Sequence, residues 1–180
     1  GIIALTEAAL KGAGKDLQGV KGVIGADPLG ELIVNGKSST SLNALFDEMA
    51  ETIKYTREHA PLIRPVYVRS DCFTDGGANA VQEVAYTFAS AVEYIREMQK
   101  RGISLKDIAA SLYFAFNQGA NFFMEIAKLR ALRQVWAAIM EAFGAEEADR
   151  SIMVHGRSSR FTKTVIDPYV NMLRNCTQTF

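Results

Sequence analysis

Two rhythms of hydrophobic and polar positions alternate along the chain. Short apolar runs at 20–24, 65–69, 112–116 and 151–155 are each followed by stretches whose apolar residues recur at helical spacing. The strongest instance runs from Leu112 to Phe143. Residues 112–116 form an apolar run with aromatic side chains at Tyr113, Phe114 and Phe116, the length and composition of a strand covered on both faces. Gly119 breaks the pattern. Phe122, Ile126, Leu129, Leu132, Trp136, Ile139 and Phe143 then recur at three- and four-residue steps, the apolar face of a long helix. Glu125, Lys128, Arg130, Arg133 and Glu141 mostly fall on its other side.

The remaining units follow the same plan. Residues 2–11 have the pattern of a helix released at Gly12 and Gly14. After the run at 20–24, GADPLG at 25–30 reads as a loop. Hydroxyls at 38–41 supply caps for a helix whose face is Leu42, Leu45, Phe46, Met49 and Ile53, closed by Pro61. In the run at 65–69, Val66 and Val68 share one side and Tyr67 the other. DCFTDGG at 71–77 is a loop. Val81, Val84, Ala85, Phe88, Val92 and Ile95 form the next helix face, ended by Gly102. Ser104 with Asp107 resembles a capping box and predicts a short helix before the third strand. The fourth strand covers 151–155, a polar basic loop 156–163, and Asp167–Pro168 predicts a last helix starting at Tyr169.

Strand and helix alternating at intervals of roughly 45 residues mean parallel strands with helical crossovers. The fold class is α/β, either part of a (β/α)8 barrel or an open doubly wound sheet. No internal domain boundary or linker interrupts residues 1–180. The chain opens GIIALTEAAL, without methionine and already helical in pattern, which predicts a piece of a longer protein. Balanced charge, 20 basic against 20 acidic residues, gives no electrostatic reason to expect nucleic acid or an anionic membrane as partner. No apolar stretch is long enough to span a bilayer, and with no basic region before the first apolar residues no signal peptide is expected. Cys72 and Cys176 are too few for a disulfide framework, so a reduced cytoplasmic protein is expected.

Ligands of parallel α/β folds sit at the C-terminal ends of the strands. That places His155, Cys72 and Asp71 as candidate catalytic residues, with Asp27, Glu31, Thr74, Asp75, Asn117, Gln118 and Arg157 nearby. His155 suits a general acid, a base or an orienting donor, and equally a strand-end residue satisfied by backbone. Cys72 reads as a nucleophile or a small buried filler, the filler being the simpler account. Asp71 and Asp75 suit a cation or loop capping. Arg157 and Arg160 suit a phosphate or a solvated loop. His59 reads as a surface residue at a helix end. Metal-ligand spacings and phosphate-cradling glycine motifs are absent.

Three segments carry a family resemblance: DGGANAVQEVAYTFASAVEYIREM at 75–98, NFFMEIAKLRALRQVW at 121–136 and DPYVNMLRNC at 167–176. They resemble the adenosylcobalamin-dependent acyl-CoA mutases, the methylmalonyl-CoA mutase family. The resemblance implies a (β/α)8 barrel that binds a CoA ester, with cobalamin held by a separate flavodoxin-like domain. It makes residues 1–180 about half of that barrel, strands three to six with their helices, without the cobalamin domain. The family's catalytic positions are largely replaced. A glutamine corresponds to Gly25, a carboxylate-binding arginine falls near Asn35, and a tyrosine–histidine pair corresponds to Asp71 and Cys72. CoA-contacting arginine and serine correspond to Ser111 and Tyr113, a histidine is retained as His155, and a glutamine corresponds to Arg157. DPYVNMLR resembles the family's small subunits, which keep the barrel and lack active-site residues. The resemblance therefore implies a structural, small-subunit-like chain of a heterodimeric isomerase. Its partner would be the catalytic large subunit, or a second copy of the same half barrel. Adenosylcobalamin would belong to the holoenzyme and not to this chain. A catalytic mutase with another acyl-CoA substrate and an unrelated enzyme using His155, Asp71 and Cys72 are the rivals.

Overall fold

The computed structural model describes residues 2–38 and 40–179. Four parallel strands, β1 (Gly22–Ala26), β2 (Ile63–Arg69), β3 (Leu112–Gln118) and β4 (Val154–Ser158), hydrogen-bond in chain order. Helices α1 (Ile2–Gly12), α2 (Pro28–Asn35), α3 (Leu42–His59), α4 (Asp71–Thr74), α5 (Ala80–Lys100), α6 (Leu105–Ser111), α7 (Phe122–Ala142) and α8 (Val170–Thr179) precede, connect and follow them. Parallel neighbours in sequential order with a helical crossover after each strand are the plan of a barrel. The chain is α/β and forms part of a (β/α)8 barrel.

The outer face of the sheet carries the core. Val66, Val68, Leu112, Phe114 and Phe116 pack against Phe46, Met49 and Ile53 of α3, Phe88, Tyr94, Ile95 and Met98 of α5, and Leu132, Trp136 and Met140 of α7. Phe88, Phe114 and Trp136 meet edge-on or tilted, with centroids 4.7–5.7 Å apart, an arrangement that adds to their area burial. The helices are set by local chemistry as well. Ser41, Asn79, Ser104 and Asn121 accept backbone N–H groups at the starts of α3, α5, α6 and α7. Gly102, at φ +77°, takes the left-handed conformation after α5.

The other face lines the inside of the barrel. Parallel register places Tyr67 beside Tyr113, Ala115 between Arg69 and His155, and Asn117 beside Arg157. Tyr67, Tyr113 and His155 form a row of near-parallel rings across β2, β3 and β4, with centroids 6.0 and 6.2 Å apart.

Several sequence expectations shift. β1 starts at Gly22 because Val20 is spent closing the 3-10 turn at Leu17–Gly19. GADPLG is not a loop: Gly25 and Ala26 end β1, Asp27 caps α2 and Pro28 is its first residue. β4 runs three residues later than the apolar run at 151–155, through Gly156, Arg157 and Ser158, because ladder bonds need only backbone and the inner-face side chains here are polar. Ser70 is followed at once by the single turn α4. α8 begins at Val170, one residue beyond the Tyr169 start that Asp167–Pro168 predicts. Among the described residues no helix is long and apolar enough to cross a membrane.

Candidate functional site

The C-terminal ends of β1, β2 and β4 meet in one ion cluster. Asp27, buried, caps α2 by accepting from Gly30 N at 3.1 Å, and accepts from Arg69 N at 3.2 Å. The Tyr94 hydroxyl of α5 donates to the same carboxylate and accepts from Leu29 N at 2.9 Å. Burial raises the Asp27 pKa, against the lowering effect of those bonds. A Cβ on Gly30 would lie 2.2 Å from Asp27 Oδ2, so a side chain there would have to displace the capping carboxylate. Arg69 reaches from β2 to Glu31 of α2 at 3.0 Å and lies 3.5 Å from Asp71. Arg157, beside Asn117 of β3, reaches from β4 to Asp71 at 3.0 Å.

A second polar cluster lies behind β3. The Glu83 carboxylate of α5 accepts from Ser70 Oγ at 2.5 Å, from Asn117 N at 2.8 Å and from Lys128 Nζ of α7 at 2.7 Å. Lys128 Nζ also donates to Asn117 O and pairs with Glu125, both at 2.5 Å. The Asn117 amide donates to Thr74 Oγ1 in α4. The side chains of Lys128 and Glu83 are only 2% and 3% exposed. The sequence pattern puts Lys128 on the polar side of its helix, whereas the structure buries it in this network. A signal existed: Lys128, Leu132, Trp136 and Met140 fall four residues apart, as do Glu83, Thr87 and Ala91, so each charge sits in its helix's buried stripe. A cation and an anion in facing stripes compensate one another.

The candidates separate. Asp71 is held by two arginines and Asp75 is exposed. Cys72 is half-buried, its thiol facing Arg69 O at 3.5 Å, and burial with the neighbouring Asp27 and Asp71 pushes its pKa up to about 12. His155 is not at a strand end: it is the second residue of β4, exposed on the inner face and stacked on Tyr113. Arg157, two residues on, is the β4 side chain that reaches Asp71. Ser111 lies at the opposite end of β3, bonded to Asp107 O at 2.6 Å within α6. Asn35 is exposed on α2 and donates to Glu31 at 3.0 Å. His59 stacks on Tyr55 at the end of α3. At Gly25, a Cβ would lie 2.7 Å from both Tyr67 Cβ and Tyr67 N, so β1 and β2 leave no room for a side chain there. Among the described residues, no three His, Cys, Asp or Glu side chains converge as a metal site requires.

Comparison with known proteins agrees with this architecture. The family model described as Methylmalonyl-CoA mutase matches residues 1–180. The methylmalonyl-CoA mutase small subunit of Streptomyces virginiae is 37% identical over 155 residues, covering 86% of this chain and 24% of that one. The small subunit of Porphyromonas gingivalis is 31% identical over 180 residues, 99% of this chain and 28% of its own length. The large subunit of Propionibacterium freudenreichii subsp. shermanii is 33% identical over 165 residues, 88% of this chain and 23% of its own length. The chain thus spans about a quarter of the length of the curated relatives it matches. A whole-chain family match, with these relatives and the parallel barrel plan behind it, makes the chain a member of the methylmalonyl-CoA mutase family.

Proposed function

We propose that the chain belongs to a small-subunit-type, non-catalytic partner in a cobalamin-dependent acyl-CoA mutase that interconverts methylmalonyl-CoA and succinyl-CoA. Its role would be to support the catalytic large subunit by packing against it. The observation that carries this reading is the state of the inner face. Catalysis needs free donors aimed at the reacting carbonyl and a free cation for a carboxylate. Here Arg69 and Arg157 are spent on acidic side chains of the chain itself. The Cys72 thiol stays neutral, and Tyr67 closes the space at Gly25 where the family implies a glutamine. Adenosylcobalamin, which the family implies, does not fit this rim as a ligand of its side chains: Asp71, Asp27 and Asn117 are already bonded within the fold. In the proposal the cofactor sits with the catalytic chain.

A second reading rests on the large-subunit relative, matched at an identity similar to that of the small subunits. The chain would then be a mutase acting on a different acyl-CoA. The experiment that separates the two is expression of the full-length chain alone and with its candidate large subunit, followed by a mutase assay and calorimetry with CoA esters. Activity only in the pair, and no CoA-ester binding by this chain, fits the supporting role. Turnover by the chain alone overturns it.

A further inference from the structure

The rim cluster is built around a carboxylate that the chain supplies to itself. Asp71, first residue of α4, projects between Arg69 of β2 and Arg157 of β4. The three side chains are only 13%, 19% and 28% exposed. The fit is incomplete. Arg157 Nη1 meets Asp71 Oδ2 at 3.0 Å, but Asp71 Oδ1 and Arg69 Nε stand 3.5 Å apart, and both are buried atoms without a hydrogen-bond partner. A guanidinium presents a planar fork of donors that matches a carboxylate in two-point contact. A carboxylate tethered to the first turn of α4 cannot rotate to meet both forks. One free in solution can.

We propose that Arg69 and Arg157 form a binding site for a carboxylate, and that Asp71 is its tethered occupant, which keeps the site shut. The ligand class is a small monocarboxylate or the carboxylate end of a larger acid. Without Asp71, Arg157 keeps no acidic partner among the described residues, while Arg69 keeps Glu31 at 3.0 Å and lies 4.0 Å from Asp27. The approach exists: an open cleft lined by Gly25, Glu31, Asn35, Lys37, Tyr67 and Arg69 leads to the Arg69 side of the cluster. Ala115, in register with Arg69 on one side and His155 on the other, puts only a methyl group on β3 beside Arg69. The inference goes beyond the supporting-subunit reading and does not depend on it, because it concerns two arginines and one aspartate whichever subunit carries them.

The test is thermal unfolding of the full-length chain and its Asp71→Ala variant in sodium acetate against sodium chloride of equal ionic strength. A ligand that binds only the folded state raises its midpoint with concentration. Acetate is expected to raise the midpoint of Asp71→Ala saturably, while the unaltered chain needs at least about tenfold more acetate for the same shift. Adding Arg157→Ala to Asp71→Ala is expected to abolish the response. Asp71→Ser, which keeps a capping oxygen at the start of α4, replaces Asp71→Ala if that variant does not fold. If neither folds in buffer, the yield of folded protein on refolding in acetate against chloride gives the same reading. Equal shifts in all variants, no shift or recovery in acetate, or a response to inorganic phosphate stronger than to acetate overturns the proposal.

Discussion

Lys128→Met is the sharpest test of how the strand ends are held. The ammonium lies 2.7 Å from Glu83, 2.5 Å from Glu125 and 2.5 Å from the Asn117 carbonyl, with 2% of the side chain exposed. Methionine keeps most of the stem and its packing, so the change isolates the charge. Glu83 Oε1 would keep Ser70 Oγ and Asn117 N, while Oε2 would lose its bond to Lys128. Removing one partner of a buried ion pair typically costs about 3–5 kcal/mol, because the remaining charge stays out of water. The two retained bonds to Glu83 favour the lower half of that range, about 3–4 kcal/mol. With a urea slope of about 2 kcal/mol/M, the unfolding midpoint should fall by about 1.5–2 M at unchanged slope. Glu83→Gln combined with Lys128→Met removes both charges. Its cost should fall below the sum of the single changes by at least about 2 kcal/mol. A loss below about 1 kcal/mol for Lys128→Met, the size seen for solvent-exposed pairs, would refute the reasoning. Strict additivity in the double variant would refute it equally.

Other outcomes follow from the same structure. With its pKa pushed up to about 12, Cys72 is thiolate in only about one molecule in ten thousand at pH 8. Iodoacetamide should therefore label exposed Cys176 and spare Cys72 in the folded chain, read by peptide mass spectrometry; equal labelling contradicts the burial argument. Glu7 on α1 is held below its ordinary 4.5 by Lys11 and by the Tyr55 hydroxyl of α3. A lowered folded pKa gives stability that is present above 4.5 and lost as pH falls through the folded value. Amide exchange in α1 should accelerate relative to α3 between about pH 6 and about pH 3, and Glu7→Gln should flatten that difference. Gly25→Ala should destabilise by about 1–3 kcal/mol in urea unfolding, since its Cβ would meet β2 backbone at 2.7 Å; a neutral result would mean the two strands separate freely. Residues 1–180 alone leave β1 and β4 without a strand partner on their outer edges among the described residues. Sedimentation should show association rather than a sharp monomer.

The outside of the barrel was legible because helix–sheet packing writes itself into periodicity. Val66 and Val68 on one side of Tyr67, and the spacing of Leu132 and Trp136, are sufficient to orient β2 and α7. The inside was not legible for the same reason inverted. Inner-face residues face the lumen and one another, so Tyr67, Arg69, Tyr113, His155 and Arg157 obey no hydrophobic rule. The polar run through Gly156–Ser158 therefore reads as a loop although each of its residues is in register with β3. His155 therefore lies within the strand rather than at its end, and Arg157 is the β4 side chain that reaches Asp71.

The two Asp-Pro pairs show where a local signal stops being sufficient. The sequence reads Asp167–Pro168 as a helix start and Asp27–Pro28 as part of a loop, though both offer a cap followed by a residue with preset φ. The structure starts α2 directly at Pro28 and delays α8 to Val170. The difference lies outside both dipeptides. Asp27 is held by Tyr94 from α5, 67 residues away in sequence, and by Arg69 N from β2, 42 residues away. Those partners fix its carboxylate where Gly30 N can reach it, and the cap closes. Asp167 lies in an exposed segment beside Val165 and Ile166, which are 95% and 97% exposed, and the first turn forms on Pro168 and Tyr169 carbonyls instead. The capping carboxylate at β1 is thus also the anchor that brings Arg69 to Glu31 and to Asp71. The same tertiary contacts that hide α2 from a reader of the sequence therefore assemble the rim on which the carboxylate-site proposal rests.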